Sequence, residues 1–100
     1  MAIAEVSIVP IGTADTSVSE YIADAVQELK KSGLAFRLTP MGTIIEGDIK
    51  DVIDTVLKMH ETPFAKAAKR VYTTIKIDDR RDKHVEMFDK VKSVEKRIRK

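Results

Sequence analysis

The sequence predicts a single α+β domain, residues 1–100, in which helices cover one face of an antiparallel sheet. Four short segments alternate apolar and polar residues, as strands with one buried face do. Two longer segments between them repeat apolar residues at helical spacing. The turn Pro40-Met41-Gly42 leads directly from the second alternating segment into the third. Because parallel strands need a much longer crossover, these two strands must pair as an antiparallel hairpin.

The first strand and the first helix have recognisable boundaries. Residues 2–9 alternate as a strand, and Pro10 ends it in a hydroxyl-rich loop. Ser17 and Glu20 have the spacing of a capping box, in which each side chain satisfies a free backbone N–H at a helix start. Gly33 is typical of a helix end. We therefore expect the first helix to begin at Ser17 and to stop at Gly33.

The middle of the chain predicts the hairpin and a second helix. Residues 34–39 and 41–47 alternate as the two strands of the hairpin. Asp48 is expected to be the N-cap residue of the second helix, because its side chain suits that position. Apolar residues then recur at helical spacing from Ile49 to His60.

The last third of the chain predicts a helix end, a strand and a third helix. We expect Pro63 to interrupt the second helix, because proline lacks a backbone N–H and its ring clashes with the preceding turn. Thr62 would cap a restart that continues to Lys69. Residues 70–77 alternate as a fourth strand, and residues 85–99 form a third helix. The apolar stripe of that helix is narrow and needs a partner, either the sheet or another subunit: Phe88, Val91, Val94 and Ile98.

The order of these elements predicts the ferredoxin-like βαββαβ sandwich with an additional C-terminal helix. Both main helices then lie on one face of the sheet. The opposite face mixes apolar and polar side chains: Glu5, Ser7, Arg37, Thr39, Ile44, Glu46, Tyr72, Thr74 and Lys76. Such a face suits a sheet-to-sheet contact between two subunits about a two-fold axis.

Glu46 is the unusual residue of that face, because it stands among aliphatic residues in a strand bounded by glycines. Burying a carboxylate without partners costs several kcal/mol. Glu46 therefore needs Arg37, Lys76, nearby hydroxyls or a ligand.

Composition excludes several functional classes. The chain has no cysteine, and neither His60 nor His84 has the spacing of a helical zinc motif, so we expect no metal. No apolar run could span a membrane and the start resembles no secretory signal, so a cytoplasmic protein is expected. The basic tail interleaves both charge signs, which favours a solvated helix face over nucleic-acid binding. No phosphate-binding loop or nucleophile motif occurs, so no enzyme is expected.

Three blocks of sequence resemble the small single-domain members of the YkoF-related thiamine-binding protein family. They are, in order, VPIGTADTSVSEYIADAV, MGTIIEG and RVYTTIKIDDRRD, within a similarity from about residue 5 to residue 95. The resemblance implies the ferredoxin-like fold, homo-oligomers built as dimers or dimers of dimers, and no cofactor. It also implies non-enzymatic binding of thiamine or its hydroxymethylpyrimidine moiety, as a carrier, buffer or sensor, near the sheet face and the subunit interface.

Carried over by position, the resemblance implies five ligand-binding residues: Thr13, Thr16 and Ser17 of the loop, and Thr43 and Glu46 of the third strand. A carboxylate such as Glu46 can accept a hydrogen bond from the exocyclic amine of an aminopyrimidine, and hydroxyls can complete its edge. Apolar contacts are expected from three further side chains: Tyr21, Met41 and Phe64.

Other proteins of this topology provide alternatives. An ACT-like regulatory module, which binds a metabolite such as an amino acid at subunit interfaces, stays open. An RNA-binding domain would need adjacent aromatic residues on its central strands, where this chain offers Ser7 and Tyr72. An acylphosphatase-like enzyme would need an arginine in the first loop, which has none. For the charged run from Asp78 to Asp82, we expect Asp78 and Asp79 to pair with Arg80 and Arg81, within or between subunits, ahead of phosphate binding.

Overall fold

The computed structural model describes residues 1–14, 18–82 and 86–98 and has the predicted α+β architecture. Its elements are β1 (Ala2–Pro10), α1 (Ser19–Ser32), β2 (Ala35–Thr39), β3 (Gly42–Gly47), α2 (Ile49–Ala65), β4 (Val71–Asp79) and α3 (Met87–Ile98). The four strands form one antiparallel sheet in the order β2-β3-β1-β4, which is the ferredoxin-like order. The predicted hairpin and the C-terminal helix are confirmed.

The core lies between the sheet and the two main helices. It is formed by side chains of β1, β3, α1 and α2: Ala4, Val6, Ala25, Leu29, Ile45, Val52, Val56 and Met59. The alternation in β1 and β3 accounts for the strand residues in this set, since every second side chain points to the same face. Full burial of a side chain such as Leu29 contributes about 1.5–3 kcal/mol, so this layer accounts for much of the stability.

The end of α1 and the start of α2 agree with the sequence, whereas the start of α1 differs. Asp48 is the N-cap residue of α2, although its side chain makes no capping hydrogen bond. Gly33 ends α1 in the left-handed conformation that glycine adopts without strain. The start of α1 differs, because the helix begins at Ser19 with Val18 as its N-cap residue. The expected capping residue Ser17 lies outside the described residues.

The interruption predicted at Pro63 is wrong, because α2 continues through Pro63 to Ala65. Proline cannot donate to the carbonyl of Met59 four residues earlier. The Thr62 hydroxyl donates to that carbonyl instead, at 2.7 Å. The helix ends at Ala65 and not at the expected Lys69, and Ala67 then adopts a positive φ of 68°.

The fourth strand is longer than predicted. It begins at Val71 and continues to Asp79, so that Asp78 and Asp79 pair with Ile3 and Ala2 of β1. The pairing between β1 and β4 therefore includes the first two residues of the charged run, which the sequence suggested was a connector.

The third helix projects from the body of the molecule. Its first turn meets the sheet face opposite the helices: the Arg37 guanidinium lies 4.9 Å from the centre of the Phe88 ring, and Lys90 pairs with Asp78. None of its residues is buried. The Cα radius of gyration is 15.1 Å, compared with about 13 Å for a compact chain of this length. Within the described ranges, no helix has both the length and the apolar character needed to cross a membrane.

Candidate functional site

A cavity of about 330 Å³ opens between α1 and the tip of the β2–β3 hairpin. This volume lies at the lower end of the roughly 300–1,000 Å³ that is typical of small-molecule sites. The described residues that line it come from β1, α1, the hairpin and α2: Val6, Ser7, Ile8, Val9, Val18, Tyr21, Ile22, Ala25, Leu38, Thr39, Pro40, Met41, Gly42, Thr43 and Met59.

The cavity exists because β1 is longer than the strand beside it. β4 pairs with β1 along its whole length, to Pro10, but β3 pairs with it only as far as Val6, opposite Thr43. Beyond that point, the described part of the chain provides no strand on the hairpin side of β1. The last residues of β1 therefore form one wall of the cavity, and the hairpin tip lies across from them.

The hairpin tip is fixed by its own side chains and by a close approach to β1. The Thr39 hydroxyl donates to the Gly42 carbonyl at 2.8 Å and accepts from the Met41 N–H at 3.3 Å. A Cβ at Gly42 would lie 2.9 Å from the Val6 carbonyl oxygen, closer than real Cβ atoms come. Glycine at this position therefore lets the turn lie against β1 and close the floor of the cavity.

The lining of the cavity is mainly aliphatic. Its polar residues are Ser7, Tyr21, Thr39 and Thr43, and none of the described lining residues carries a charged side chain. Such a surface suits a flat, uncharged group with a few hydrogen-bonding atoms, because an unpaired charge would lose its hydration there.

The Tyr21 ring is supported from outside the cavity by the end of α2. The Lys66 ammonium lies 5.9 Å from the centre of the Tyr21 ring and forms an ion pair with Asp24 at 2.9 Å. The hydrogen bond to Asp24 raises the pKa of Lys66 above its ordinary value. These contacts join α1 to α2 next to the aromatic wall.

The predicted site residues do not all meet at this cavity. Thr43 lines it and is only 7% exposed. Thr13 is half-buried in the loop after β1 and is not part of the described lining. Thr16 and Ser17 lie outside the described residues.

Of the three residues expected to make apolar contacts, two line the cavity and one does not. Tyr21 and Met41 line the cavity, whereas Phe64 lies on α2 and packs its edge against His60, with ring centres 5.5 Å apart. The residues that sequence reasoning missed include Ile8, Leu38 and Met59, which line the cavity. The unequal lengths of the first and third alternating segments were the available signal for Ile8.

Glu46 lies on the opposite face of the sheet from Thr43, because the two positions are an odd number of residues apart on one strand. One of its carboxylate oxygens, Oε2, accepts the backbone N–H of Met87 at 3.0 Å, at the start of α3. Of its two expected partners, Arg37 lies over Phe88 and Lys76 pairs with Glu5 at 3.6 Å. The structure therefore separates the two polar residues that the sequence had assigned to one pocket.

A second, more open depression of about 380 Å³ lies on the sheet face away from α1 and α2. This is the face on which the sequence placed the pocket. Its lining combines aliphatic residues with charged ones: Ile3, Ala4, Glu5, Ile44, Lys76, Ile77 and Asp78. Among the residues that the structure describes, no group of His, Cys, Asp or Glu side chains has the arrangement of a metal site.

The charged run from Asp78 to Asp82, which begins in the last residues of β4, forms ion pairs. Arg81 bonds Asp79 at 2.7 Å and Arg80 bonds Asp82 at 2.6 Å. The hydrogen bond from Arg81 holds the pKa of Asp79 below its ordinary value, and the same pairing raises the pKa of Arg81. The pair of Asp79 with Arg81 was expected, whereas Arg80 pairs with Asp82 and Asp78 pairs with Lys90.

The chain is similar to known proteins in sequence and in structure. The family model described as thiamine-binding protein matches residues 4–95. A UPF0045 protein from the glkA 3′ region of Staphylococcus xylosus is 50% identical over 100 residues, covering 96% of this chain and 94% of the relative. The family description and the name of this relative specify no reaction.

Two solved structures have the same fold. The hypothetical protein MJ1052 from Methanocaldococcus jannaschii superposes with a TM-score of 0.85 at 35% identity, covering 94% of this chain and 95% of that one. A candidate thiamine biosynthesis/salvage protein (TM0486) from Thermotoga maritima gives a TM-score of 0.76 at 22% identity, covering 93% and 97%. At that identity, the second similarity shows the fold alone.

Proposed function

Since the chain belongs to the thiamine-binding protein family, we propose that it binds thiamine or its hydroxymethylpyrimidine moiety, without catalysis, in the cavity between α1 and the hairpin tip. The single observation that carries this location is the composition of the lining, which is aliphatic with a few hydroxyls. The aminopyrimidine ring is flat and neutral at physiological pH, and it presents an amine and ring nitrogens along its edge. Such a group gains from apolar walls and needs only a few polar partners.

Three side chains have defined roles in this proposal. Tyr21 and Met41 stand on the α1 and hairpin sides of the cavity and contact the faces of the ring. The Thr43 hydroxyl bonds a polar atom at its edge. The thiazolium carries a permanent positive charge, and the described lining holds no carboxylate to pair with it. We therefore place the pyrimidine half inside and the thiazolium half toward solvent.

The amino-acid-binding alternative is less well supported by the same lining. A free amino acid presents a carboxylate and an ammonium group, and each loses hydration on burial unless a charged or strongly hydrogen-bonding partner replaces it. The described lining offers no charged side chain for either group.

Self-association belongs to this proposal as a property of the open sheet face and of α3. Phe88, Val91, Val94 and Ile98 are all at least 46% exposed, which leaves an apolar stripe in solvent in a single chain. We propose that copies of the chain cover it by forming a dimer or a dimer of dimers. A carrier, a buffer or a sensor for the vitamin would all fit a binding protein of this kind.

Titration calorimetry tests the function. We expect saturable heat with thiamine and with hydroxymethylpyrimidine, at affinities within about tenfold of each other, a difference of 1.4 kcal/mol. A panel of amino acids should give none. No saturable heat with either pyrimidine compound at millimolar concentration would contradict the proposal.

A pair of matched variants tests the location. Thr43→Val removes the hydroxyl of a buried residue that lines the cavity and should weaken binding about three- to tenfold, as the loss of one hydrogen bond does. Thr55→Val removes the hydroxyl of a similarly buried residue on α2, outside the described lining, and should leave the affinity unchanged. Equal effects of the two substitutions would place the ligand elsewhere.

A further inference from the structure

For each residue of β1, the side of the strand to which its backbone N–H and C=O point can be assigned. The Ile11 N–H donates to the Arg70 carbonyl at 2.8 Å, on the β4 side. In an antiparallel ladder, successive residues direct their N–H and C=O groups to opposite neighbours, and the register between β1 and β4 is unbroken. Val9 and Ser7 therefore face β4, and Ile8 faces the other side.

The Val6 carbonyl confirms this direction independently. Val6 lies two residues before Ile8, so the backbone groups of both residues point to the same side of β1. The Val6 carbonyl oxygen lies on the β3 side, where it closely approaches Gly42. The N–H and C=O of Ile8 thus point past the end of β3, into the gap that the cavity occupies.

The residue that would pair with Ile8 is turned away. If the β1–β3 register continued, Met41 would stand opposite Ile8, but the Met41 N–H donates to the Thr39 hydroxyl at 3.3 Å. Within the described parts of the chain, β3 ends its pairing at Val6 and leaves Ile8 without a strand partner. Buried or half-buried backbone groups are normally satisfied, so this position favours an external partner.

The free edge is too short for another strand. Only Ile8 presents both a donor and an acceptor on this side, because the next residue with the same direction is Pro10, which has no N–H. A proline is tolerated there for the same reason, since no ladder bond is lost. One donor beside one acceptor suits the edge of a small heterocycle and not a peptide chain.

We propose that the main chain of Ile8 is the recognition edge of the cavity for an amino-substituted pyrimidine. The Ile8 N–H donates to a ring nitrogen, and the Ile8 carbonyl accepts from the adjacent exocyclic amine, as both groups would do with a residue of a partner strand. This inference rests on the proposed function and deepens it. It assigns ligand selection to a backbone donor–acceptor pair, with the neighbouring side chains supplying contact to the ring faces.

Amide hydrogen exchange by NMR tests the inference on the intact chain. Without ligand, the Ile8 amide should exchange at least about tenfold faster than the amides of Ser7 and Val9, which face β4. Saturation with hydroxymethylpyrimidine should slow Ile8 selectively and move its proton resonance downfield. Equal protection of all three amides without ligand would overturn the inference, whatever the ligand does.

The measurements with ligand distinguish this inference from the proposed function. Saturable binding that leaves the Ile8 amide unchanged would overturn this inference and leave the proposed function standing. No saturable binding would overturn both. An analogue whose amine carries two methyl groups cannot donate to the Ile8 carbonyl and should bind at least about tenfold more weakly; equal affinity would contradict the assigned acceptor.

Two proline substitutions test the backbone directly. Ile8→Pro removes an N–H that faces the cavity, so the chain should stay folded and bind hydroxymethylpyrimidine at least about tenfold more weakly. Val9→Pro removes an N–H that faces Tyr72 of β4 and should destabilise the fold instead. Wild-type affinity in folded Ile8→Pro would contradict the inference. If that variant does not fold, the amide-exchange measurement on the native chain tests the inference instead.

Discussion

At the scale of single residues, the position of a side chain along a strand decides its role. Thr43 and Glu46 are three residues apart on β3, so one contacts the cavity under α1 and the other points to the opposite face. The carboxylate that stood out in the sequence accepts the first N–H of α3. A negative charge at a helix start also interacts favourably with the helix dipole.

The role of Glu46 can be separated from ligand binding. We expect Glu46→Ala to speed amide exchange in the first turn of α3, because Met87 loses its acceptor and the helix start loses a negative charge worth about 0.3–1 kcal/mol. The affinity for thiamine measured by calorimetry should stay the same. Glu5→Ala, which removes another carboxylate of the same face, is the control for both measurements. A tenfold loss of affinity in Glu46→Ala alone would make Glu46 a ligand residue.

The pairing of Asp79 with Arg81 predicts a defined pH dependence. The pKa of this carboxyl is lowered by the guanidinium, so the stabilisation is present above the unfolded pKa, near 3.8, and is lost as pH falls through the folded pKa. Arg81→Gln should therefore raise the pKa of Asp79 in a carbon-13 NMR titration. Arg80→Gln, whose guanidinium bonds Asp82, should leave it in place. An unchanged Asp79 titration in Arg81→Gln would refute the assignment.

At the scale of secondary structure, the strands followed from the alternation of the sequence, whereas the behaviour of α2 at Pro63 did not. The rule that proline breaks a helix describes the loss of one hydrogen bond and a steric clash. Here the lost bond is replaced by the Thr62 hydroxyl, which reaches the Met59 carbonyl. Such a substitution depends on a side-chain rotamer and is invisible in hydrophobic periodicity.

The contribution of that hydroxyl is measurable. We expect Thr62→Val to lower the free energy of unfolding by about 0.5–1.5 kcal/mol, because the Met59 carbonyl loses its donor in a half-buried position. Thr62→Ser keeps the hydroxyl and should lose less. Denaturant unfolding of the two variants gives the comparison, and equal stabilities would show that the bond contributes nothing.

The candidate cavity was only partly predictable, for a reason that also belongs to this scale. The alternation distinguishes the two faces of β1 and β3, but the cavity depends on where β3 stops pairing with β1 and on how closely Gly42 approaches Val6. Strand register is set by the pairing of two segments that are distant in sequence, and the periodicity of one segment gives no information about that pairing. For the same reason, the contact between Glu46 and α3 could not be read from either segment alone.

At the scale of the whole molecule, the chain has a compact body and one exposed helix. The long axis is 48 Å and the short axis 18 Å, and the polar and ring contacts described between α3 and the body lie in its first turn. Its apolar stripe and the mixed sheet face together form the surface that we propose copies of the chain share. The cavity opens at the other side of the sheet, so assembly and binding are separable in this arrangement.

Substitutions on α3 test that separation. Val91→Glu places a charge in the apolar stripe and should lower the oligomeric state measured by analytical ultracentrifugation, while the affinity for thiamine persists. Ser93→Glu adds the same charge to an exposed position off the stripe and should leave the assembly intact. Dissociation by both variants would mean that net charge, and not the stripe, controls assembly.

A crystal structure of the chain with hydroxymethylpyrimidine would show directly which face of the sheet binds the ring. We expect electron density for the ring inside the cavity, between Tyr21 and Met41, with its amine and ring nitrogen within hydrogen-bond distance of the Ile8 main chain and Thr43 at its edge. Density for the ring on the opposite face of the sheet, against Glu46, would contradict it.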